Sequence, residues 1–152
     1  MKIIDIATHE IGTKEWPADS NKVKYNDWFY GSKEYPLTAA WCGTFVSWCY
    51  YQAGIPLHKI DFLRGYASCP YAVNHVSIWG KIVTVPQPGD VVFFDWNGDG
   101  KFDHTGLFVK DNGKGLFQTI EGNTGFGNDS NGGCVMSRER NYKNAIFIRP
   151  NV

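Results

Sequence analysis

Apolar residues recur at helical spacing in three segments of the N-terminal half of the chain. They predict helices over residues 3–11, 38–53 and 68–79. Gly12 follows the first of these segments, and glycine commonly ends a helix at that position. The segment 13–37 is polar and dotted with aromatic residues, so we expect a long loop there, and long ordered loops often carry binding residues.

The C-terminal half changes to short apolar runs of strand length, separated by turn residues such as Asn112–Gly113. The predicted strands are 83–85, 91–94, 105–109, 117–120, 135–137 and 145–148. Helices followed by hairpin-connected strands predict an α+β fold, with N-terminal helices packed on an antiparallel β-sheet. A length of 152 residues is typical of one domain, so we expect a single domain over 1–152.

Charge and hydropathy narrow the possible functions and partners. The 15 basic and 15 acidic residues cancel, whereas a general nucleic-acid-binding protein normally carries a basic excess. No apolar run is long enough to cross a membrane, and the charged start of the chain does not have the pattern of a secretory signal peptide. We therefore expect a monomer made in the cytoplasm, with neither nucleic acid nor membrane as a partner.

Cys42 is the first candidate for chemistry, because it falls in the first turn of the second predicted helix. Unpaired N–H groups and the helix dipole stabilise an anion at that place, which favours the nucleophilic thiolate. Gly43 is expected to leave room for a substrate backbone. A free cysteine is also commonly a small apolar residue of the core, and the helix pattern alone leaves both interpretations open.

Two later segments could supply partners for this thiol. His104 begins a predicted strand, where an imidazole can reach a helix N-terminus, take the thiol proton and later protonate a leaving amine. Glu121 and Asn123 lie two residues apart on the next strand and are expected to share a face. One of them would hold the second ring nitrogen and fix the tautomer. Each residue alone is commonly structural, but the three elements together predict a cysteine hydrolase site.

Four segments resemble the CHAP family, the cysteine, histidine-dependent amidohydrolases/peptidases of the papain-like NlpC/P60 clan. They are Trp41–Trp48, Pro88–Phe94, Asp103–Gly106 and Glu121–Asn123, and Ile11–Glu15 with Ser20, Asn21 and Tyr25 is similar to a subgroup. The resemblance implies a papain-like fold and hydrolysis of peptidoglycan. It also implies that Cys42 is the nucleophile, His104 the base and Glu121 the orienting residue, with Asn123 assisting.

The resemblance leaves the cleaved bond open between the N-acetylmuramoyl-L-alanine amide and a peptide bond of the cross-bridge. It suits a phage lysin or an effector delivered by a secretion machine, since either reaches the cell wall without a signal peptide. Two other functions stay open: a wall-binding module without catalysis, and a related cysteine amidase with a substrate outside the wall. The backbone N–H of Cys42 is a natural oxyanion donor by position.

The loop before His104 resembles the start of an EF-hand calcium loop, with oxygen-bearing residues at alternate positions and a glycine at the sixth. The candidate ligands are Asp95, Asn97, Asp99, Asp103 and the carbonyl of Lys101. Gly106 stands where a bidentate glutamate is expected. The loop is therefore either a structural calcium site or a hairpin tip whose Asn-Gly and Asp-Gly pairs favour a turn. No cofactor is expected for the chemistry itself.

The other three cysteines are expected to be structural. Cys49 lies two turns after Cys42 on the same helical face, which indicates a core position. Cys69 and Cys134 could pair, although nothing in the sequence indicates that they are close. The chain has no C-x-x-C spacing, so a zinc site is not expected.

Overall fold

A computed structural model describes residues 2–152. Within that range five helices precede six strands. The helices are α1 (Lys2–His9), α2 (Lys24–Tyr30), α3 (Cys42–Gln52), α4 (Cys69–Asn74) and α5 (Val76–Trp79). The strands are β1 (Gly80–Val83), β2 (Val91–Phe94), β3 (His104–Gly113), β4 (Leu116–Thr124), β5 (Cys134–Asn141) and β6 (Ala145–Pro150). The predicted α+β class is confirmed.

The six strands form one antiparallel sheet in the order β1-β6-β2-β3-β4-β5. Strands β2 to β5 are sequential neighbours, while the last strand, β6, lies between β1 and β2. Leu107 pairs with Ile120 in the β3–β4 ladder, so the start of β3 runs alongside the end of β4. This register brings the two strand segments with candidate catalytic residues to the same place in the sheet.

Helix α3 packs against the sheet through a fully buried apolar face. Phe45, Val46 and Cys49 have no exposed surface and share a core with residues of β2, β3, β4 and β6. Gly122 allows the helix to approach β4 closely, since a Cβ atom there would lie 2.7 Å from Cβ of Phe45. The close approach holds the beginning of α3 beside the sheet.

The predicted loop over 13–37 is wrong in part, because α2 lies within it. Tyr25 and Phe29 stand one helical turn apart and are buried, and Gly31 ends the helix in a left-handed conformation with φ of 67°. The helix has seven residues, which is too short to give a clear periodic pattern among the surrounding polar positions.

The boundaries of the second predicted helix also differ. Residues 38–41 are not helical, and Trp41 has φ and ψ of −120° and 18°, so the helix begins at Cys42 instead of residue 38. The candidate nucleophile is therefore the first residue of α3. At the first position of a helix, the unpaired N–H groups of the N-terminus and the helix dipole can stabilise a thiolate.

The third predicted helix, 68–79, is two helices in the structure. Ser68 caps α4 as its hydroxyl accepts a hydrogen bond from the Tyr71 N–H at 3.2 Å. His75, with φ and ψ of −116° and 26°, interrupts the helical path between α4 and α5.

Each predicted strand overlaps an observed one: β2 has the predicted bounds, 91–94, and each of the other five differs at one or both ends. The first was placed at 83–85, but β1 spans Gly80–Val83, and Val85 lies beyond it with 77% of its surface exposed. None of the helices within residues 2–152 is long and apolar enough to span a bilayer.

Candidate active site

Cys42 lies where α3 begins, with only 4% of its surface exposed. The preceding residue, Trp41, is fully buried, and its indole N–H donates to Oε1 of Glu15 at 3.0 Å. Glu15 also accepts the backbone N–H of Asn21 at 3.2 Å. The N-terminal segment that resembles a CHAP subgroup thus fixes the residue next to the candidate nucleophile.

Gly43 is explained by close packing within the protein and not by the room for a substrate backbone that we expected. A Cβ atom at this position would lie 2.9 Å from the carbonyl oxygen of Ala67 and 3.0 Å from the Tyr66 ring. The space beside Gly43 is therefore filled by the 66–67 segment and is not left for a substrate backbone. The glycine lets this segment pack directly against the start of α3.

His104 is the first residue of β3 and is fully buried. Its Nε2 atom lies 2.8 Å from Oε1 of Glu121. Its Nδ1 atom is buried and has no hydrogen-bond partner within residues 2–152. A neutral ring that donates through Nε2 to the carboxylate presents Nδ1 as an acceptor, which suits it to take a proton.

The pKa values of Cys42 and His104 are displaced in opposite directions. Contact with Cys69 lowers the pKa of the Cys42 thiol most, burial opposes this, and interaction with His104 lowers the pKa further, to well below its ordinary value. Burial opposes protonation of His104, but its interactions with Cys42 and Glu121 outweigh burial and raise the imidazole pKa to about 9. These opposed directions favour a thiolate on Cys42 paired with an imidazolium on His104.

Glu121 is a fully buried carboxylate that stays ionised. Arg140 binds it with two hydrogen bonds, Nε to Oε2 at 2.9 Å and Nη2 to Oε1 at 2.6 Å, and the Thr119 hydroxyl also donates to Oε2. Burial alone would raise the carboxyl pKa, but Arg140 and His104 lower it to about 2. The expected contact between Glu121 and His104 is present in the structure.

Arg140, on β5, is a residue of this site that the sequence pattern did not indicate. Its guanidinium bridges Glu121 and Asp129, which it contacts at 2.9 Å. The same group lies 5.6 Å from the ring centroid of Phe94 and 5.0 Å from that of Trp96. Asp129 and the two aromatic rings thus hold the Arg140 guanidinium in place, and the guanidinium in turn orients Glu121.

Gly106 is required by the position of the Glu121 side chain. A Cβ atom on Gly106 would lie 2.5 Å from Cγ of Glu121, closer than real contacts of this kind. The glycine two residues after His104 therefore opens the path along which Glu121 reaches the imidazole. This gives a physical reason for the His-Thr-Gly sequence.

Asn123 is buried, but its side chain makes its hydrogen bonds elsewhere than at His104. Its Nδ2 donates to Oδ1 of Asn131 at 3.1 Å, and its Oδ1 accepts the N–H of Gly133 at 3.0 Å. No hydrogen bond joins Asn123 to His104 within residues 2–152, so an assisting role for Asn123 stays a prediction. The β4–β5 pairing is irregular between Glu121 and Thr124, and Asn123 has a left-handed φ of 55°, which breaks the strand alternation.

Cys69 is a second neighbour of the candidate nucleophile that the sequence did not indicate. Its Sγ lies 3.9 Å from Sγ of Cys42, and both thiols are free. The possible pairing of Cys69 with Cys134 is not present, since Cys134 is free and its thiol contacts the carbonyl of Val135 at 3.3 Å. Cys49 is fully buried in the core, as expected.

The acidic loop before His104 is closed by hydrogen bonds from its own backbone. The acceptor–donor pairs are Asp95 with Gly98 (3.1 Å) and Gly100 (2.7 Å), Asn97 with Asp99 (3.4 Å), Asp99 with Lys101 (2.9 Å) and Asp103 with Trp96 (2.9 Å). Within residues 2–152, no three Asp, Glu, His or Cys side chains converge as a metal site. These bonds account for the turn without an ion, and calcium binding stays a prediction.

Isothermal calorimetry separates the two interpretations of this loop. If Asp95, Asp99 and Asp103 can turn toward a common ion, a chelator-treated sample should release or absorb heat when calcium is added to millimolar concentration. Asp99→Asn should lower the affinity for calcium, and so reduce the heat signal, because it removes one charged ligand. Absence of a heat signal at millimolar calcium would leave the loop as a hairpin tip.

Comparison with known proteins identifies the family of this chain and a solved structure of similar fold. The sequence model of the CHAP domain family matches residues 30–123, a segment that includes Cys42, His104 and Glu121. A search of curated proteins found no significant match. Among solved structures, an N-acetylmuramoyl-L-alanine amidase from Staphylococcus aureus is similar in fold. The TM-score is 0.50 at 15% sequence identity, over 72% of this chain and 30% of that one. Because the family match covers more than half of its residues, this chain belongs to the CHAP domain family.

Proposed function

We propose that this protein is a peptidoglycan hydrolase that cleaves an amide bond of the bacterial cell wall through Cys42, His104 and Glu121. The observation that carries the proposal is a group of three buried side chains: Cys42 at the start of α3, His104 at the start of β3 and Glu121 near the end of β4. It combines a thiol of lowered pKa, an imidazole whose pKa is about 9 and an ionised carboxylate. Such opposed displacements are typical of a nucleophile and its acid–base partner.

The proposed reaction begins with attack of the Cys42 thiolate on the carbonyl carbon of the scissile amide. The backbone N–H of Cys42, at the first position of α3, is the candidate donor to the oxyanion. The imidazolium of His104 then gives its proton to the leaving amine, and a thioester remains on Cys42. Water, deprotonated by the neutral imidazole, attacks the thioester, releases the acyl group as a carboxylic acid and restores the Cys42 thiolate and the His104 imidazolium.

Glu121 is proposed to act by orienting His104. Its carboxylate, 2.8 Å from Nε2, selects the tautomer that leaves Nδ1 for the thiol proton and stabilises the imidazolium once it forms. Arg140 in turn fixes the carboxylate through two hydrogen bonds. Asn123 is proposed to assist indirectly, because its side chain holds the 131–133 segment beside the end of β4.

The lowered pKa of the Cys42 thiol argues against a module that only binds the wall. Binding of a glycan or peptide needs no thiolate beside an imidazolium, and keeping a buried carboxylate charged requires several fixed donors. A phage lysin or a delivered effector remains the proposed setting. The N-acetylmuramoyl-L-alanine amide and a cross-bridge peptide bond require the same catalytic groups.

Mass spectrometry of fragments released from purified cell walls tests the function and identifies the bond. We expect soluble fragments with new amino groups. Complete stem peptides beginning with L-alanine would indicate an amidase, and cut bridges or shortened stems would indicate an endopeptidase. A sample alkylated with iodoacetamide is the matched control and should release none. If only new sugar reducing ends appear, or no fragment appears, the proposal is wrong.

A further inference from the structure

Cys42 and Cys69 form a thiol pair that amide hydrolysis does not require. Each is the first residue of a helix, α3 and α4 respectively, and their Sγ atoms are 3.9 Å apart. Both side chains are almost fully buried, with exposures of 4% and 5%. Among the free cysteines of residues 2–152, no other pair of sulfur atoms is in hydrogen-bond contact.

The segment that carries Cys69 is fixed against the nucleophile helix. Asp61 accepts the N–H groups of Ala67 and Ser68, the latter at 2.7 Å, and Gly43 allows Ala67 to pack on α3. The proximity of Cys69 to Cys42 is therefore set by several contacts of the backbone before α4.

The two thiols are in different protonation states. Hydrogen bonding to Cys42 and burial hold the pKa of Cys69 well above its ordinary value, so this group remains an S–H donor facing the Cys42 thiolate. A thiolate reacts readily with peroxides, whereas a protonated thiol does not. Oxidation should therefore begin at Cys42.

We propose that Cys69 is a resolving cysteine: after a peroxide oxidises Cys42, Cys69 closes a reversible Cys42–Cys69 disulfide that switches the enzyme off and protects its nucleophile. The proposal rests on the proposed function in one respect, since it assumes that Cys42 is the reactive thiolate.

The first step consumes one peroxide molecule. The Cys42 thiolate attacks a peroxide oxygen, the O–O bond breaks, and the other oxygen leaves as water or an alcohol after taking a proton. Cys42 becomes a sulfenic acid, and the sulfur has lost two electrons to the peroxide. The His104 imidazolium, whose pKa is raised by its interaction with Cys42, can supply that proton.

The second step needs no further oxidant. The negative charge on Cys42 that kept Cys69 protonated has gone, so Cys69 can lose its proton and attack the Cys42 sulfur. An S–S bond forms and the S–O bond breaks. The departing hydroxide takes a proton and becomes water. A dithiol reductant reverses the result by thiol–disulfide exchange.

The required movement is small. A disulfide bond is about 2.05 Å long, so the two sulfur atoms must approach by roughly 2 Å from their separation of 3.9 Å. A closed disulfide would remove the thiolate from His104 and leave no nucleophile for an amide carbonyl.

Peroxide treatment followed by peptide mapping tests the proposal. The reduced protein is treated with hydrogen peroxide, assayed by clearing of cell walls, and assayed again after dithiothreitol. We expect complete loss of clearing, a mass lower by two hydrogen atoms, a linked peptide pair containing Cys42 and Cys69, and recovery of most of the activity. Cys69→Ala should instead oxidise to a sulfinic acid at Cys42 and recover little.

Two further variants keep the outcome interpretable. Cys69→Ser repeats the test if the alanine variant does not fold, and Cys134→Ser should respond like the unaltered protein because its thiol lies outside the pair. Inactivation without the linked peptide, or equal recovery by Cys69→Ala, would overturn the resolving role while leaving Cys42 as nucleophile. A linked form that still clears walls would instead overturn the proposed hydrolytic mechanism.

Discussion

Cys42→Ala should abolish clearing of purified cell walls, with a loss of turnover on the order of a million-fold, as for other covalent nucleophiles. The variant keeps His104 and Glu121 but has no atom that can form the thioester. The substitution removes only one buried sulfur atom, at the first residue of α3, so the fold should persist. The decrease in turbidity of a wall suspension over time measures the effect.

Cys134→Ala is the matched control for this substitution. It removes the same atom from a partly buried cysteine at the start of β5, and it should clear walls at the unaltered rate. Circular dichroism and thermal unfolding establish that both variants are folded. If folded Cys42→Ala clears walls at a comparable rate, the covalent mechanism is refuted.

The fold was largely predictable because its strongest signals are local. Apolar runs bounded by turn residues gave all six strands, and β2 was predicted with its observed bounds, 91–94. The position of β6 between β1 and β2 has no local signal, since it depends on a pairing between strands far apart in the chain. Short helices such as α2 are stabilised by tertiary burial rather than by a long periodic pattern.

The contact of Glu121 with His104 could be predicted from the order of the motifs, but the role of Arg140 in fixing Glu121 could not. Arg140 pairs in the ladder with Phe117, and only its long side chain brings it to Glu121. An arginine on an edge strand has no distinguishing pattern. Its role follows from strand order and from the direction of its side chain.

Neither the hydrogen bonds of Asn123 nor the position of Cys69 could be predicted from the sequence. Strand alternation predicts which face a residue occupies only where pairing is regular, and the irregularity after Glu121 removes that rule for Asn123. Cys69 belongs to a different helix from Cys42, so their separation of 3.9 Å depends on the 53–68 connection and its hydrogen bonds. Sequence spacing does not encode such a distance.

Glu121→Gln should reduce turnover by about 10³–10⁴-fold and narrow the pH range of activity. The carboxylate stabilises the imidazolium and so contributes to the raised His104 pKa of about 9. Without this charge the pKa of His104 falls, and the alkaline limb of kcat/KM moves to lower pH. A less stable imidazolium also stabilises the thiolate less, so the Cys42 pKa rises and the acid limb moves to higher pH.

Glu139→Gln is the control, because it makes the same change at an exposed carboxylate that contacts Asn112 and not the histidine. It should leave both limbs in place. The pH dependence distinguishes an electrostatic role from a structural one. Loss of packing or stability at Glu121 would lower the amplitude of the profile without moving its limbs, whereas loss of the charge displaces both toward each other. A Glu121→Gln profile with unmoved limbs would therefore show that Glu121 does not control the protonation of His104.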